Sequence, residues 1–299
     1  MMKTAFRQLY DEVPGYTFQK CGIPFSAPIE SYFESGEYAE TEEKILKGFY
    51  TYQVLNQYNL NRLIGREVKE HVRKMTDQGI LDYYSLVSKE DGSSYEAVGG
   101  GEILKPYSLS KAAHRFILDN RHYRKTYAYQ ELEAMNDSAL LKKLSINQYH
   151  ISVITKNKAL ILDEKIAFMD SYREMGTVVI PSLIRLKKGP AIFALPMFRN
   201  AEEYTGQIRL LYRLAGYLTE THVQYPAPIL VWIAKSNRAA IEGINHIRNL
   251  DLGGGYKPFL ELPLTYCLDY VTKEGNPLKE FIYAEDTNKR VVLYRAKIT

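Results

Sequence analysis

Arg62, Arg66, Lys69, Arg73 and Lys74 crowd into one short stretch, NRLIGREVKEHVRKM. Val68, Val72 and Met75 recur there at helical spacing and mark an apolar stripe, which leaves Arg66, Lys69, Arg73 and Lys74 on outward faces. A helix carrying such residues suits the major groove of duplex DNA. Arginine can read guanine edges through two parallel hydrogen bonds, and lysine neutralises phosphates. Asn59 and Asn61, just before this helix, offer further base or phosphate contacts, and Lys89 stands at the tip of the following turn, KEDGSS. Arg115, Arg121, Arg124 and Lys125 add charge further on. Glu67, Glu70 and Asp77 dilute the same helix, and residues 41–125 hold 14 basic and 11 acidic residues, a net of +3. A solvated helix face, or a protein-binding surface, is the rival reading of this pattern.

Other chemistry is poorly supplied. The histidines His71, His114, His122, His150, His222 and His246 form neither an HxxxH nor an HxH pair, the spacings that bring two imidazoles to one metal. Cys21 and Cys267 lie far apart, with no activating partner in sequence and too few for a zinc site. The GGG at 253–255 lacks the spacing and following helix of a nucleotide-binding loop, and no serine sits in a GxSxG elbow. The expectation is no catalytic residue, no metal and no cofactor.

The elements that would position the basic residues follow a definite order. Residues 1–40 hold several prolines and three basic against six acidic residues, and read as an irregular arm with a short helix near Thr4–Glu12. From 41, TEEKILKGFYTYQVLN predicts a helix with Thr41 as N-cap and acids in its first turn. QYNLNRLI (57–64) is a second helix stopped by Gly65, and 66–81 a third ending at Gly79. The β-rich runs around EDGSS then predict a hairpin, because Asp-Gly suits its tight turn. SLSKAAHRFILDNRHYRK (108–125) is a fourth helix, capped by Ser108 or Ser110. Three short helices, a hairpin and a helix make a winged helix-turn-helix over 41–125. Residues 126–145 read as a helical linker.

With 299 residues, two domains are the natural expectation. From 146 onward the pattern is mixed α/β. NQYHISVIT reads as a strand. GTVVIPSLIRL and GPAIFALPMF are paired strands around a Lys-Lys-Gly turn. NAEEYTGQIRLLYRLAGYLTETH is an amphipathic helix, PAPILVWIA a buried strand and SNRAAIEGINHIRNL a helix, with short strands and turns after 256. The opening MMKTAFRQLYDEV has no apolar run of signal-peptide length, and the longest apolar runs are strand length, so a cytoplasmic protein with no membrane partner is expected.

A winged helix followed by QYHISVI and then VVIPSLIRLKKGPAIFALPMFRNAEEYTGQIRLLYRLAGYL resembles the replication-relaxation family of plasmids and conjugative elements, over roughly 41–250. The resemblance implies a fold that is α+β overall: an N-terminal winged helix-turn-helix, then an α/β restriction-endonuclease-like domain of the PD-(D/E)xK type over 146–299. Such nucleases gather acids around magnesium, because hard cations prefer carboxylate oxygens. In the corresponding slots this chain has Pro181-Ser182 and, on the next strand, Leu195, Pro196, Met197 and Phe198. Gln207 on the following helix does not replace the missing acids, and His150 matches a family histidine expected to be structural. The implied role is a sequence-selective DNA-binding regulator or accessory factor of a plasmid, phage or conjugative element, acting on double-stranded DNA as a homodimer. Its nuclease-like domain would be inactive and used for dimerisation or partner binding. The rivals are an interaction module of a replication or conjugation complex, and a metal-dependent nuclease with migrated acids, for which Asp163, Glu164, Asp170, Glu174, Glu202 and Glu203 are the nearest sources.

Overall fold

A computed structural model describes residues 13–24, 29–34, 40–95, 105–120, 129–172, 176–189, 191–197, 229–234, 237–248, 264–267, 276–279, 281–287 and 290–296. The chain is mixed α+β, with two sheets and helices in two compact units, Met1–Asn147 and Gln148–Thr299.

The described part of the lead-in holds β1 (Tyr16–Cys21) and α1 (Ile29–Glu34), regular elements in place of the irregular chain expected there from its prolines. β1 pairs antiparallel with β3 (Leu81–Ser88) from Tyr16↔Ser88 to Cys21↔Tyr83. Long-range side-chain contacts override the local proline signal. Thr17 Oγ1 donates to Asp137 at 2.8 Å, the Phe18 N–H donates to the same carboxylate at 3.1 Å, and Lys20 Nζ reaches Asp82 at 3.0 Å. The helix expected near Thr4–Glu12 lies outside the described residues.

α2 (Glu40–Tyr52) begins one residue before Thr41, which is a buried first-turn residue rather than the cap. Gly48 sits where an added Cβ would lie 3.1 Å from Leu63 Cδ2, so its lack of a side chain lets the next helix approach. α2 is followed by Gln53, a non-glycine residue with φ 66. This left-handed turn leads into β2 (Val54–Asn56), a strand the residue pattern did not reveal. The buried Asn147 amide donates to the carbonyls on both sides of Gln53, Tyr52 O at 2.9 Å and Val54 O at 2.7 Å, and so holds the turn.

α3 (Gln57–Ile64) has the expected bounds. Its first turn is capped by Asn56, whose side chain accepts the Asn59 N–H at 2.8 Å, and Gly65 at φ 81 ends it. α4 (Lys69–Asp77) is shorter than the 66–81 expected, and Val68, Val72, Met75 and Ile80 are buried as one stripe. β3 follows, then a turn in which Gly92 has φ 71, then β4 (Pro106–Leu109). β4 pairs with both β3 and β2, giving the sheet order β1-β3-β4-β2. α5 (Lys111–Asn120) is capped by Ser110, which accepts the Ala113 N–H, whereas Ser108 belongs to β4. The stretch 126–145 is more than a linker. α6 (Tyr129–Glu133) buries Tyr129 and Leu132, and α7 (Asp137–Lys156) starts at the Asp137 that bonds to β1.

α7 overturns the strand expected at NQYHISVIT. Residues 144–153 are buried on every side. Tyr149, Ile151 and Val153 alternate with the buried polar residues His150 and Ser152, so the stretch has the period of a strand although it is helical.

In the second unit, β5 (Ile161–Tyr172), β6 (Gly176–Leu186) and β7 (Ala191–Pro196) form an antiparallel meander. β8 (Ile229–Ala234) runs parallel to β7, and β9 (Leu264–Cys267) parallel to β8. β10 (Phe281–Thr287) and β11 (Arg290–Ala296) complete a seven-stranded sheet antiparallel to one another. The β7 and β8 sequences AIFALP and ILVWIA are nearly continuously apolar, as central strands covered on both faces require. α8 (Asn237–Arg248) lies between β8 and β9, as the 236–250 pattern indicated. The helix expected over 200–222 and the GGG at 253–255 lie outside the described residues. Among the described residues, no helix is long and apolar enough to cross a membrane.

The Asn147 clamp makes a direct prediction. Asn147→Ala leaves two buried carbonyls without their donor and should cost about 2 kcal/mol in urea unfolding. A change below about 0.5 kcal/mol, the size of a neutral surface substitution, would remove the clamp from the account.

Candidate nucleic-acid interface and a buried polar relay

The eight residues singled out for DNA contact separate into two groups. Arg66, Lys69, Arg73 and Lys89 are exposed. Arg73 makes only a loose pair with Asp77 at 3.8 Å, with both side chains largely in water, and such pairs contribute little. Lys69 and Arg73 are one turn apart on α4, Arg66 lies in the turn before it, and Lys89 sits beyond β3, where its N–H donates to Gly15 O at 2.8 Å.

The other four are engaged within the first unit. Asn59 is fully buried, which removes it from any surface contact. Asn61 accepts the Val68 N–H at 3.0 Å and so ties the end of α3 to the start of α4. Arg62 lies over the Tyr58 ring at 5.0 Å. Lys74 turns inward to Glu42 at 3.5 Å. Asparagines near a helix turn look the same in sequence whether they cap a helix or meet a ligand, so periodicity could not separate these two groups.

Glu42 is the main electrostatic feature of this unit. Its side chain is 1% exposed. Tyr32 Oη donates to Oε2 at 2.7 Å, and Oε1 lies 3.3 Å from His71 Nδ1 and 3.5 Å from Lys74 Nζ. Burial, and then the hydrogen bond to Glu42, push the Tyr32 phenol well above its ordinary range. One carboxylate on α2 therefore joins α1 to α4. It fixes the rotation of α4, with His71 and Lys74 toward Glu42 and Lys69 and Arg73 outward.

In the second unit, three side chains far apart in sequence converge. Ser182 Oγ lies 2.8 Å from His150 Nδ1, and His150 Nε2 lies 2.8 Å from Glu164 Oε2. An ionised carboxylate only accepts, so Nε2 carries a proton toward Glu164, and in the neutral ring the Ser182 hydroxyl donates to Nδ1. Hydroxyl, imidazole and carboxylate in that order are the parts of an activated nucleophile. Here Ser182 and His150 have no exposed surface, so no substrate can reach the hydroxyl. The relay instead ties α7 to β5 and β6. The hydrogen bond from His150 holds the Glu164 carboxyl below its ordinary value of 4.5, against the opposing effect of burial.

The positions that the resemblance aligned with nuclease acids hold apolar packing and the relay. Ser182 pairs across the strands with Ala194, and Leu195 is buried. The Met197 N–H donates to Ile233 O at 2.9 Å, and Phe198 lies outside the described residues. Of the nearby acids, Asp163 and Glu164 are on β5. Asp170 is in β5 without a described side chain, while Glu174, Glu202 and Glu203 lie outside the described residues. Among the described residues, no group of three or more His, Cys, Asp or Glu is placed to hold a metal ion. No family model matches the chain, and no curated protein or solved structure matches it.

Two outcomes follow. Glu42→Ala removes the shared acceptor of Tyr32, His71 and Lys74 and should cost about 1–3 kcal/mol, read from denaturant unfolding. Glu164 has a lowered folded value, so its contribution is complete above the ordinary glutamate range and fades as pH falls through the folded value. The stability deficit of Glu164→Gln should therefore be largest near neutrality and shrink in acid. A deficit that grows in acid would contradict the relay.

Proposed function

We propose that this protein binds duplex DNA through its first unit, as a winged helix-turn-helix, with α4 as the recognition helix and the β3–β4 connection as the wing. The carrying observation is the placement of β2. This strand lies between the first two helices of the trihelical set and pairs with β4, which also pairs with β3, so that α2–β2–α3–α4–β3–β4 closes on itself. Arg66, Lys69 and Arg73 then form the candidate groove-facing set, and Lys89 the wing contact. Asn59, Asn61, Arg62 and Lys74 are left out of this set, because they make contacts within the unit.

The second unit supports the nuclease-like part of the same reading. A helix, an antiparallel three-stranded meander and a fourth strand parallel to the third follow the order of a PD-(D/E)xK core. Ser182 stands where that chemistry needs an acid, and its hydroxyl is committed to His150. We assign this unit a scaffold role, in dimerisation or in holding a replication or conjugation partner. The assignment to a regulator or accessory factor of a plasmid, phage or conjugative element rests on the resemblance set out above. A homodimer reading two half-sites is the arrangement that such readers commonly use.

The test is retardation of duplex fragments from the protein's own genetic neighbourhood, at two salt concentrations and with Mg²⁺ present. Wild type should retard DNA without cutting it, with steep salt dependence. Arg66→Glu/Arg73→Glu should abolish retardation at the higher salt and lower the salt slope by about two, while melting like wild type. Equal binding by the variant would overturn the assignment of α4, and cleaved DNA would overturn the scaffold role.

A further inference from the structure

We propose that β5 is a dimerisation edge, which pairs antiparallel with β5 of a second copy about a twofold axis at Glu164. This inference rests on the homodimer in the function proposed above and gives that dimer a surface.

β5 ends the seven-stranded sheet. β6 pairs with one side of it, and among the described residues no strand lies on the other. The backbone N–H of Glu164 shows which way the open edge faces. It donates at 2.9 Å to the neighbouring Asp163 carboxylate, in an exposed local contact rather than a ladder bond. Glu164 is therefore at a position where a twofold antiparallel pair exchanges its two N–H···O bonds between identical residues.

The sequence around that point is complementary to itself. With Glu164 opposite its own copy, Asp163 falls opposite Lys165 twice, at the non-hydrogen-bonded positions where side chains approach most closely. Leu162 falls opposite Ile166, and Ile161 opposite Ala167. Asp163 and Lys165 already share one face, with 3.9 Å between Nζ and Oδ2. Leu162, at the bulge where the β5–β6 register shifts, is 65% exposed, and Leu160 just before β5 is 54% exposed. Charges and bulges on an edge strand ordinarily repel a neighbouring strand. Here the opposite signs two residues apart turn that protection into a code that admits this strand's own copy. The two Glu164 carboxylates do not have to meet, because each is hydrogen-bonded to the His150 of its own protomer.

The test is the molar mass of the full chain by light scattering and sedimentation across a concentration series, with no DNA present. Wild type should be dimeric. Asp163→Lys places like charges opposite each other twice and should weaken the dimer by about tenfold or more. Lys165→Asp should do the same. The charge swap Asp163→Lys/Lys165→Asp restores both pairs and should restore the dimer. That rescue separates pairing from general damage, and circular dichroism on each variant reports the fold. A monomeric wild type at every concentration would overturn the proposal, as would a dimer indifferent to Asp163→Lys, or a swap that fails to rescue. DNA retardation by monomeric Asp163→Lys would leave the DNA reading standing independently of the edge.

Discussion

The buried carboxylate of Glu42 is the constraint on which the first unit depends. A charge taken out of water is tolerable only when its partners are well placed, because desolvation costs several kcal/mol that only good geometry returns. Glu42 receives the Tyr32 hydroxyl from α1 and lies against His71 and Lys74 from α4. Apolar packing of Val68, Val72 and Met75 alone would let α4 slide or rotate by small amounts. The polar contacts to Glu42 remove that freedom and set which basic residues face water. Lys74 is drawn inward by the same arrangement that leaves Lys69 and Arg73 exposed, so the composition of the candidate DNA face follows from a buried interaction.

A similar logic holds elsewhere in the chain. Asn147 spans the left-handed turn at Gln53, and without that turn the three-residue β2 would not enter the sheet beside β4. Asn61 spans the α3–α4 turn. In the second unit, His150 joins a strand hydroxyl and a strand carboxylate to one helix. Buried polar side chains at points of chain reversal thus specify the geometry, while the apolar stripes supply the cohesion.

The helix at 57–64 was legible because Gly65 stops it, while its N-cap, Asn56, emerged only from the structure. The paired strands around the Lys-Lys-Gly turn and the strand ILVWIA were legible because their apolar runs are long and bounded by turn residues. β2 was hidden because three residues are too few to show a period. α7 was misread because its buried polar residues His150 and Ser152 alternate with Tyr149, Ile151 and Val153, which gives a helix the period of a strand. β1 was missed because proline-rich surroundings suggested irregular chain, while its stabilising partners, Asp137 and Asp82, lie far off in sequence. The exposure of the candidate residues was half legible. Exposed Arg66, Lys69, Arg73 and Lys89 could be found by helical spacing and turn signals. Asn59, Asn61, Arg62 and Lys74 carry the same chemistry but serve the fold, and only three-dimensional partners tell them apart. The Ser182–His150–Glu164 relay had no sequence signal, because its members lie on three elements with no motif spacing.

The central claim is that α4 and the following turn are where DNA is held. Hydrogen–deuterium exchange of the full chain, with and without duplex DNA from its genetic neighbourhood, tests this most directly, because it reports on every segment at once. The account predicts that DNA slows exchange in the turn and helix from Arg66 to Arg73 and in the turn at Lys89, and leaves the strands β5 to β8 unchanged. Slowed exchange confined to the second unit, with α4 unaffected, would contradict it.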